Sequence, residues 1–443
     1  MSRVRFRILL LFFFLLGMIS AHRALASFSP PSNISLRVYR LELSGALWVD
    51  PATGGYHPCS TNDTFYGCTA FVGNSSYPYP YGTNPVTIPI ETDYLLDVVP
   101  SEVSVEAFHP TAIQAQAIAA RSYAYWHINQ GSTINNSNQF QVFVPYAFEA
   151  LPLASSPNSP DNPSVPCAST NLNNDQRIVC GAVDPRHYIS YDTYPNANLP
   201  AFTEYFADIR NRTVSGGQPY LMAVDDPISS LPDIVQSGHG HGMSQKGASR
   251  WARGNLSYNI NQNLGAWSVR YDRAEQILVH YYTGVRLRDA NKQILLPADR
   301  WNPLQINWGT PDNHPPAMSH GGRYPVSIKV QNTGVSDWTC GYPNFSYELR
   351  YRWAKAGHGE VTDSSWASVC GAPKGDPSPM VNLTIQNTPN WGPGAYTIRL
   401  DIYVTSAYGN FWFSDSGWPP YSVSLCVDGP CQVFIPLVLK NYP

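Results

Sequence analysis

The sequence predicts an α+β protein: a mixed domain in which one alanine-rich helix packs on β-structure, followed by an all-β sandwich. Three observations predict it. The stretch PTAIQAQAIAARSYAYWHI at 110–128 places apolar and small residues at helical spacing. Beyond about residue 297 the chain breaks into short alternating runs separated by turn residues, the pattern of antiparallel strands. The length, 443 residues, exceeds one ordinary domain. Only 13% of the residues are charged, while 12 are Trp and 28 Tyr, a balance that suits an exported, β-rich protein with aromatic binding surfaces. A net charge of −3 without clustered Lys and Arg argues against a nucleic-acid partner.

At the N-terminus, MSRVRFR supplies Arg3, Arg5 and Arg7, ILLLFFFLLGMIS is apolar, and ALA at 24–26 precedes Ser27. Positive, then apolar, then small-x-small is the order of a secretory signal. The apolar run is shorter than the ~20 residues that span a bilayer. Residues 1–26 are therefore expected to be a cleaved signal, leaving a mature chain without a transmembrane span that is secreted or cell-envelope associated. The cysteines agree, since an even count in an exported chain reads as disulfides. They fall as neighbours (Cys59/Cys68, Cys167/Cys180, Cys340/Cys370, Cys426/Cys431), and local pairing is the simplest expectation. The absence of CxxC argues against a zinc knuckle or a thioredoxin-like site.

Along the chain, SLRVYRLEL at 35–43 and VTIPI at 86–90 read as strands. LLDVVPSEV at 95–103 reads as a strand-like apolar run, then a Pro-Ser turn that carries Glu102. In the helix at 110–128, Pro110 suits the first position, and Ile113, Ala117, Ala120 and Ala124 share one face. Residues 155–173 form a turn-rich loop, and RAEQILVHYYTG at 273–284 a short helix ending at Gly284. The later strands are YPVSIKVQNTG at 324–334, FSYELRYRW at 345–353, MVNLTIQN at 380–387 and AYTIRLDIYV at 395–404. The expected organisation is a catalytic-type domain over 35–296, a Pro/Gly/Asn-rich linker over 297–320, a sandwich over 321–425 and a tail over 426–443.

Four places can carry chemistry. A carboxyl at the mouth of a turn, as Glu102 would be, can act as a general acid when apolar neighbours raise its pKa; an ordinary surface Glu, as for nearby Glu106, is the commoner case. Arg121 either faces solvent or pairs with a buried carboxylate, and Tyr123, Tyr125 and Trp126 serve equally as core. In SGHGHGMSQKGA at 237–248, His239 and His241 suggest a metal, and Ser237 or Ser244 a nucleophile. Yet HxH favours an extended strand, no acid or Cys is adjacent, and there is no GxSxG elbow. The glycines suggest instead a backbone that approaches a ligand or another segment closely. Tyr281 and Tyr282 in HYYTG line a sugar groove or simply fill core.

In order along the chain these segments resemble the SpoIID/LytB family. VVPSEV resembles its acidic segment, and AIQAQAIAARSYAY at 112–125 its "ALKAQAVAARTYA" helix. SGHGHGMSQKGASRWA at 237–252 resembles its "GHGVGMSQxGA" signature, and ILVHYYTGV at 277–285 its closing segment. YLMAVDDP at 220–227 is a weaker match. The resemblance covers roughly 35–296 and implies a bacterial, extracytoplasmic peptidoglycan lytic transglycosylase with Glu102 as its single acid/base, acting on glycan strands to leave 1,6-anhydro ends. One carboxyl suffices because the sugar's own 6-hydroxyl replaces water, whereas a hydrolytic glycosidase usually needs two. The resemblance also implies that Arg121, Tyr123, His239, Ser244 and Gln245 line the groove or position Glu102, with Tyr281 and Tyr282 as walls, and no metal or other cofactor is expected. Val103 and Ser104 stand where the family has Met and Pro, Thr283 where Pro is common, and His241 where Val is common. The alternative is a non-catalytic peptidoglycan-binding enhancer that partners a cell-wall amidase; a Ser or metal hydrolase is a third reading. Outside the resemblance, VQNTGVSDW at 330–338 resembles a strand-turn of bacterial immunoglobulin-like accessory domains, with wall attachment, glycan binding or spacing as its expected role.

Overall fold

The computed structural model describes residues 28–38, 40–42, 47–49, 56–58, 85–136, 139–149, 151, 166–191, 198–341, 344–375, 377–386 and 388–429. The expected signal segment, Cys59, Cys68 and Cys431 lie outside them. Strand β1 (Asn33–Arg37) pairs antiparallel with β2 (Val86–Pro89), and parallel with Ile134–Asn135. The chain then winds through a π-turn at Ile90–Tyr94 into helix α1 (Leu95–Glu102). This corrects the strand-like reading of that stretch. A short apolar run has no periodicity that separates strand from buried helix, and Pro100 looks like a stop although it lies inside the helix.

Helix α2 (Pro110–Asn129) forms as expected, with Pro110 in the first turn and the His109 side chain accepting from the Thr111 amide at 3.3 Å. Its two faces enter two cores. Ile113, Ala117, Ala120 and Ala124 pack with Leu95, Val98, Val99 and helix α3 (Asn174–Val183). Ala112, Ala115, Ile118 and Ala119 join Trp251, Ile277 and Tyr281 in the second core. A helix apolar all round must be buried, and small side chains let neighbours approach from both sides. Helix α4 (Gln245–Arg253) was not expected from the glycine-rich stretch. Ser244 caps it by accepting from the Gly247 amide at 3.0 Å, and Gly254, in the left-handed conformation, ends it. Helix α5 (Ala274–Tyr281) closes the mixed region.

The sandwich holds β3 (Trp301–Asn307), β4 (Tyr324–Asn332) and β7 (Pro377–Ile385) in one sheet. The other holds β5 (Ser346–Ala354), β6 (Val361–Ser368), β8 (Gly394–Thr405) and β9 (Tyr421–Val427), with Phe411–Trp412 paired to β8. The stretch expected as linker therefore contains a strand: β3 pairs antiparallel with β4, Trp301 opposite Asn332. Asn302 and Pro303 obscure it in sequence, and Pro303 is tolerated where the register shifts. Trp301, Leu304 and Ile306 are buried in the same core as Trp251 and Tyr271, so mixed region and sandwich share a core. Trp267 and Tyr271 donate to the carbonyls of Leu304 and Pro303, each at 3.0 Å, and Trp418 to that of Trp301 at 2.6 Å. Truncating a side chain as buried as Trp301 costs about 3–5 kcal/mol. The final strand also takes in Cys426 and Val427, the first residues of the expected tail.

Disulfides Cys167–Cys180 and Cys340–Cys370 form as expected, each spanning 5.6 Å between Cα atoms, and Cys426 is disulfide-bonded as well. Among the described residues no helix is long and apolar enough to cross a membrane.

Candidate active site

Glu102 ends α1 half-buried, and the backbone turns extended at Val103. Oε1 of Glu102 accepts the Val142 amide at 2.6 Å, and Oε2 accepts Nε2 of Gln245 at 3.2 Å. Gln245 is the first residue of α4, so the Ser244 cap that starts this helix also aims its amide at the acid. A third donor is the Tyr205 hydroxyl. This hydroxyl accepts from Nε2 of Gln141 at 2.8 Å, which leaves its own proton for Glu102. Tyr94 in turn donates to Oε1 of Gln141 at 2.7 Å, orienting that side chain. Burial outweighs these three donors and raises the Glu102 carboxyl to about 7. A carboxyl poised there can give a proton near neutral pH and take one back.

Glu102 opens into a cleft of about 360 Å³ lined by Tyr123, Glu204, Tyr205, Phe206, His239 and Gln245, among others. Tyr123 comes from α2 and stacks on Phe202 with ring centroids 5.2 Å apart. Tyr205 and Phe206 form a two-residue strand parallel to Met243–Ser244, which brings the glycine-rich segment beside the cleft. Gly242 has φ +74°, and a Cβ there would collide with the Glu204 carbonyl. His239 is exposed at the rim, its Nδ1 accepting the His241 amide at 3.0 Å.

Four of the expected groove residues lie off the cleft. Arg121 is fully buried, paired to both carboxylate oxygens of Glu91 at 2.7–2.8 Å and bonded to the carbonyls of Val183 and His187. Its guanidinium ties α2 to α3, the buried-carboxylate alternative of the sequence reading. Ser244 spends its hydroxyl on the cap of α4. Tyr281 donates to Asp226 at 3.0 Å beneath α4, where Trp251 also donates to Asp226 at 2.7 Å. Tyr282 is buried and donates to the Glu204 carbonyl at 2.9 Å, so it holds the cleft's edge from behind. Glu102, Tyr123, His239 and Gln245 do come together around the cleft.

Sequence reasoning missed Gln141, Val142, Glu204 and Tyr205. No local pattern marks them, because their roles exist only through contacts with Glu102 and the 237–245 segment. The nearest signal was the Tyr205-Phe206 pair, two residue types that favour strands but too short a run to announce one. Glu204 is half-buried and its carboxyl is raised by burial, with His241 opposing. Its Oε2 lies 3.6 Å from Nδ1 of His241, and Glu204, His239 and His241 together are the residues that can hold a metal here.

The family model described as stage II sporulation protein, SpoIID, matches residues 83–165, the stretch that carries β2, α1 with Glu102, α2 and Val142. No curated protein matches the chain significantly. Among solved structures the chain is similar to the CARDB domain of a Pyrococcus furiosus protein in complex with di-metal ions, at 12% identity and a TM-score of 0.16, over 30% of this chain and 90% of that one. It is similar also to beta-glucosidase from Listeria innocua in complex with glucose, at 7% identity and a TM-score of 0.18, over 32% of this chain and 17% of that one. The gluconolactone complex of that enzyme gives 9%, 0.17, 31% and 17%. TM-scores this low carry no argument about this chain.

Proposed function

We propose that the chain is an exported lytic transglycosylase of peptidoglycan glycan strands, a reading supported by the match of residues 83–165 to the SpoIID family model, a family associated with cell-wall lytic activity. The observation that carries the proposal is Glu102, a carboxyl raised to about 7 at the head of the cleft, while Glu204, the other carboxyl in the lining, is paired with His241. Protonated Glu102 gives its proton to the glycosidic oxygen as the bond from that oxygen to C1 breaks. The resulting carboxylate takes the proton of the same sugar's 6-hydroxyl, and O6 closes on C1. No water is consumed, and the acid is regenerated. The Val142 amide, the Gln245 amide and the Tyr205 hydroxyl stabilise the carboxylate formed midway, and their fixed positions require no reorganisation at that moment. Tyr123 and Phe206 line the cleft as buried side chains and shape the apolar wall against which a pyranose ring would lie. Two disulfides fit an extracytoplasmic chain working in the cell envelope.

Mass spectrometry of digested glycan tests the reading. A product lighter by one water than the hydrolytic one supports it. If the purified chain releases no such product, yet accelerates a cell-wall amidase, the non-catalytic enhancer replaces it.

A further inference from the structure

We propose that Glu204, His239 and His241 form a site for one divalent transition metal of the zinc class at the rim of the Glu102 cleft. The sequence argues against a metal because HxH suits a strand and no acid is adjacent; the tertiary structure removes both objections. Gly238, Gly240 and Gly242 have φ values of +97°, +85° and +74°. These left-handed turns on either side of each histidine bring the two imidazole centroids within 5.0 Å of each other. The missing acid arrives from a distant segment. Glu204 is anchored by its own backbone carbonyl, which accepts the Met243 amide at 3.2 Å and the Tyr282 hydroxyl at 2.9 Å.

One ligand atom from each of the three residues lies within 4.8 Å of the others. Nδ1 of His241 and Oε2 of Glu204 are the 3.6 Å pair. Tetrahedral zinc with ligands at ~2.0 Å separates them by ~3.3 Å, so closure moves no ligand by more than ~1.5 Å. The His239 ring also donates to the backbone carbonyl of Tyr205. This is the outer hydrogen bond that metal-bound imidazoles make, and it leaves the Nδ1 lone pair for the ion, in place of the His241 amide. Two imidazoles and one carboxylate suit zinc, cobalt or nickel over calcium or magnesium. Three protein ligands leave at least one position for water or a substrate oxygen. Glu204 and His239 line the cleft, so that position is shared with whatever Glu102 acts on. The site does not depend on the reaction proposed for Glu102.

The test uses the full mature chain with any affinity tag removed. Co²⁺ is titrated while its visible absorption is followed, then displaced with Zn²⁺. The expected result is one saturable equivalent per chain, a rise in Tm with Zn²⁺, and a loss of affinity of at least ~10-fold in both His241→Val and Glu204→Gln. The His241 side chain is 30% exposed, so its replacement leaves the core intact, and melting curves of the metal-free variants verify that they fold. Absence of saturable binding by the unaltered chain overturns the proposal. So does equal binding by the folded variants.

Discussion

Glu102→Gln separates activity from stability. The substitution keeps the shape and the Val142 contact but removes the proton that the mechanism moves. A positioned general acid contributes about 10²–10⁴-fold, so release of anhydro-sugar ends should fall by at least ~10²-fold. Stability should move the other way. Burial raises the carboxyl from 4.5 to about 7. Because the folded value lies above the unfolded one, ionisation favours the unfolded chain. The penalty is absent below pH ~4.5, grows as pH rises and is complete above about 7. A shift of ~2.5 units at 1.36 kcal/mol each gives about 3 kcal/mol, an upper bound for a group with one face open to the cleft. The variant should therefore match the unaltered protein in urea melts near pH 4 and exceed it by about 1–3 kcal/mol near pH 8. Anhydro products are counted by mass spectrometry on the same samples. Activity within ~3-fold of the unaltered protein would refute Glu102 as the acid. A stability difference that does not change with pH would refute the buried-carboxyl account.

Activity of the unaltered protein should decline as pH rises through about 7, the limb set by deprotonation of Glu102. Tyr205→Phe removes a donor that holds this value down, so that limb should shift to higher pH; an unmoved limb would exclude the hydroxyl from the site. Arg121→Ala leaves the half-buried Glu91 without its cation and should cost up to about 3–5 kcal/mol of stability, with kcat of the folded fraction near normal. Ser244→Ala removes the cap of α4 and should cost about 1 kcal/mol in chemical melts while leaving KM and kcat within a few-fold; loss of catalysis without loss of stability would restore the hydroxyl to the cleft.

The long-range features could be read only in part, for reasons visible in single residues. Ile113, Ala117, Ala120 and Ala124 announce α2 because helical spacing is written in the sequence itself, and Val326, Ile328 and Val330 announce β4 through alternation. Pro100 and Pro303 misdirect the reading at α1 and β3, because each element tolerates a proline that local rules forbid. At the site, Glu102 was reached through family resemblance in its own segment. The raised carboxyl arises from burial, and its donors come from Val142, Tyr205 and Gln245, which no spacing connects.

By itself the sequence determined the helical core element and four strands of the sandwich, made the local pairings Cys167–Cys180 and Cys340–Cys370 the simplest expectation, and carried the resemblance that the family model matches over residues 83–165. Each depends on neighbours or on a motif. Only the tertiary structure decided that Arg121 serves Glu91, that Ser244 serves a helix, and that Glu204 meets His241. Glu91 and Arg121, and Glu204 and His241, are distant in the chain, and whether Ser244 turns to the nearby Gly247 amide or to the cleft is likewise a matter of a few ångströms that only the folded backbone sets.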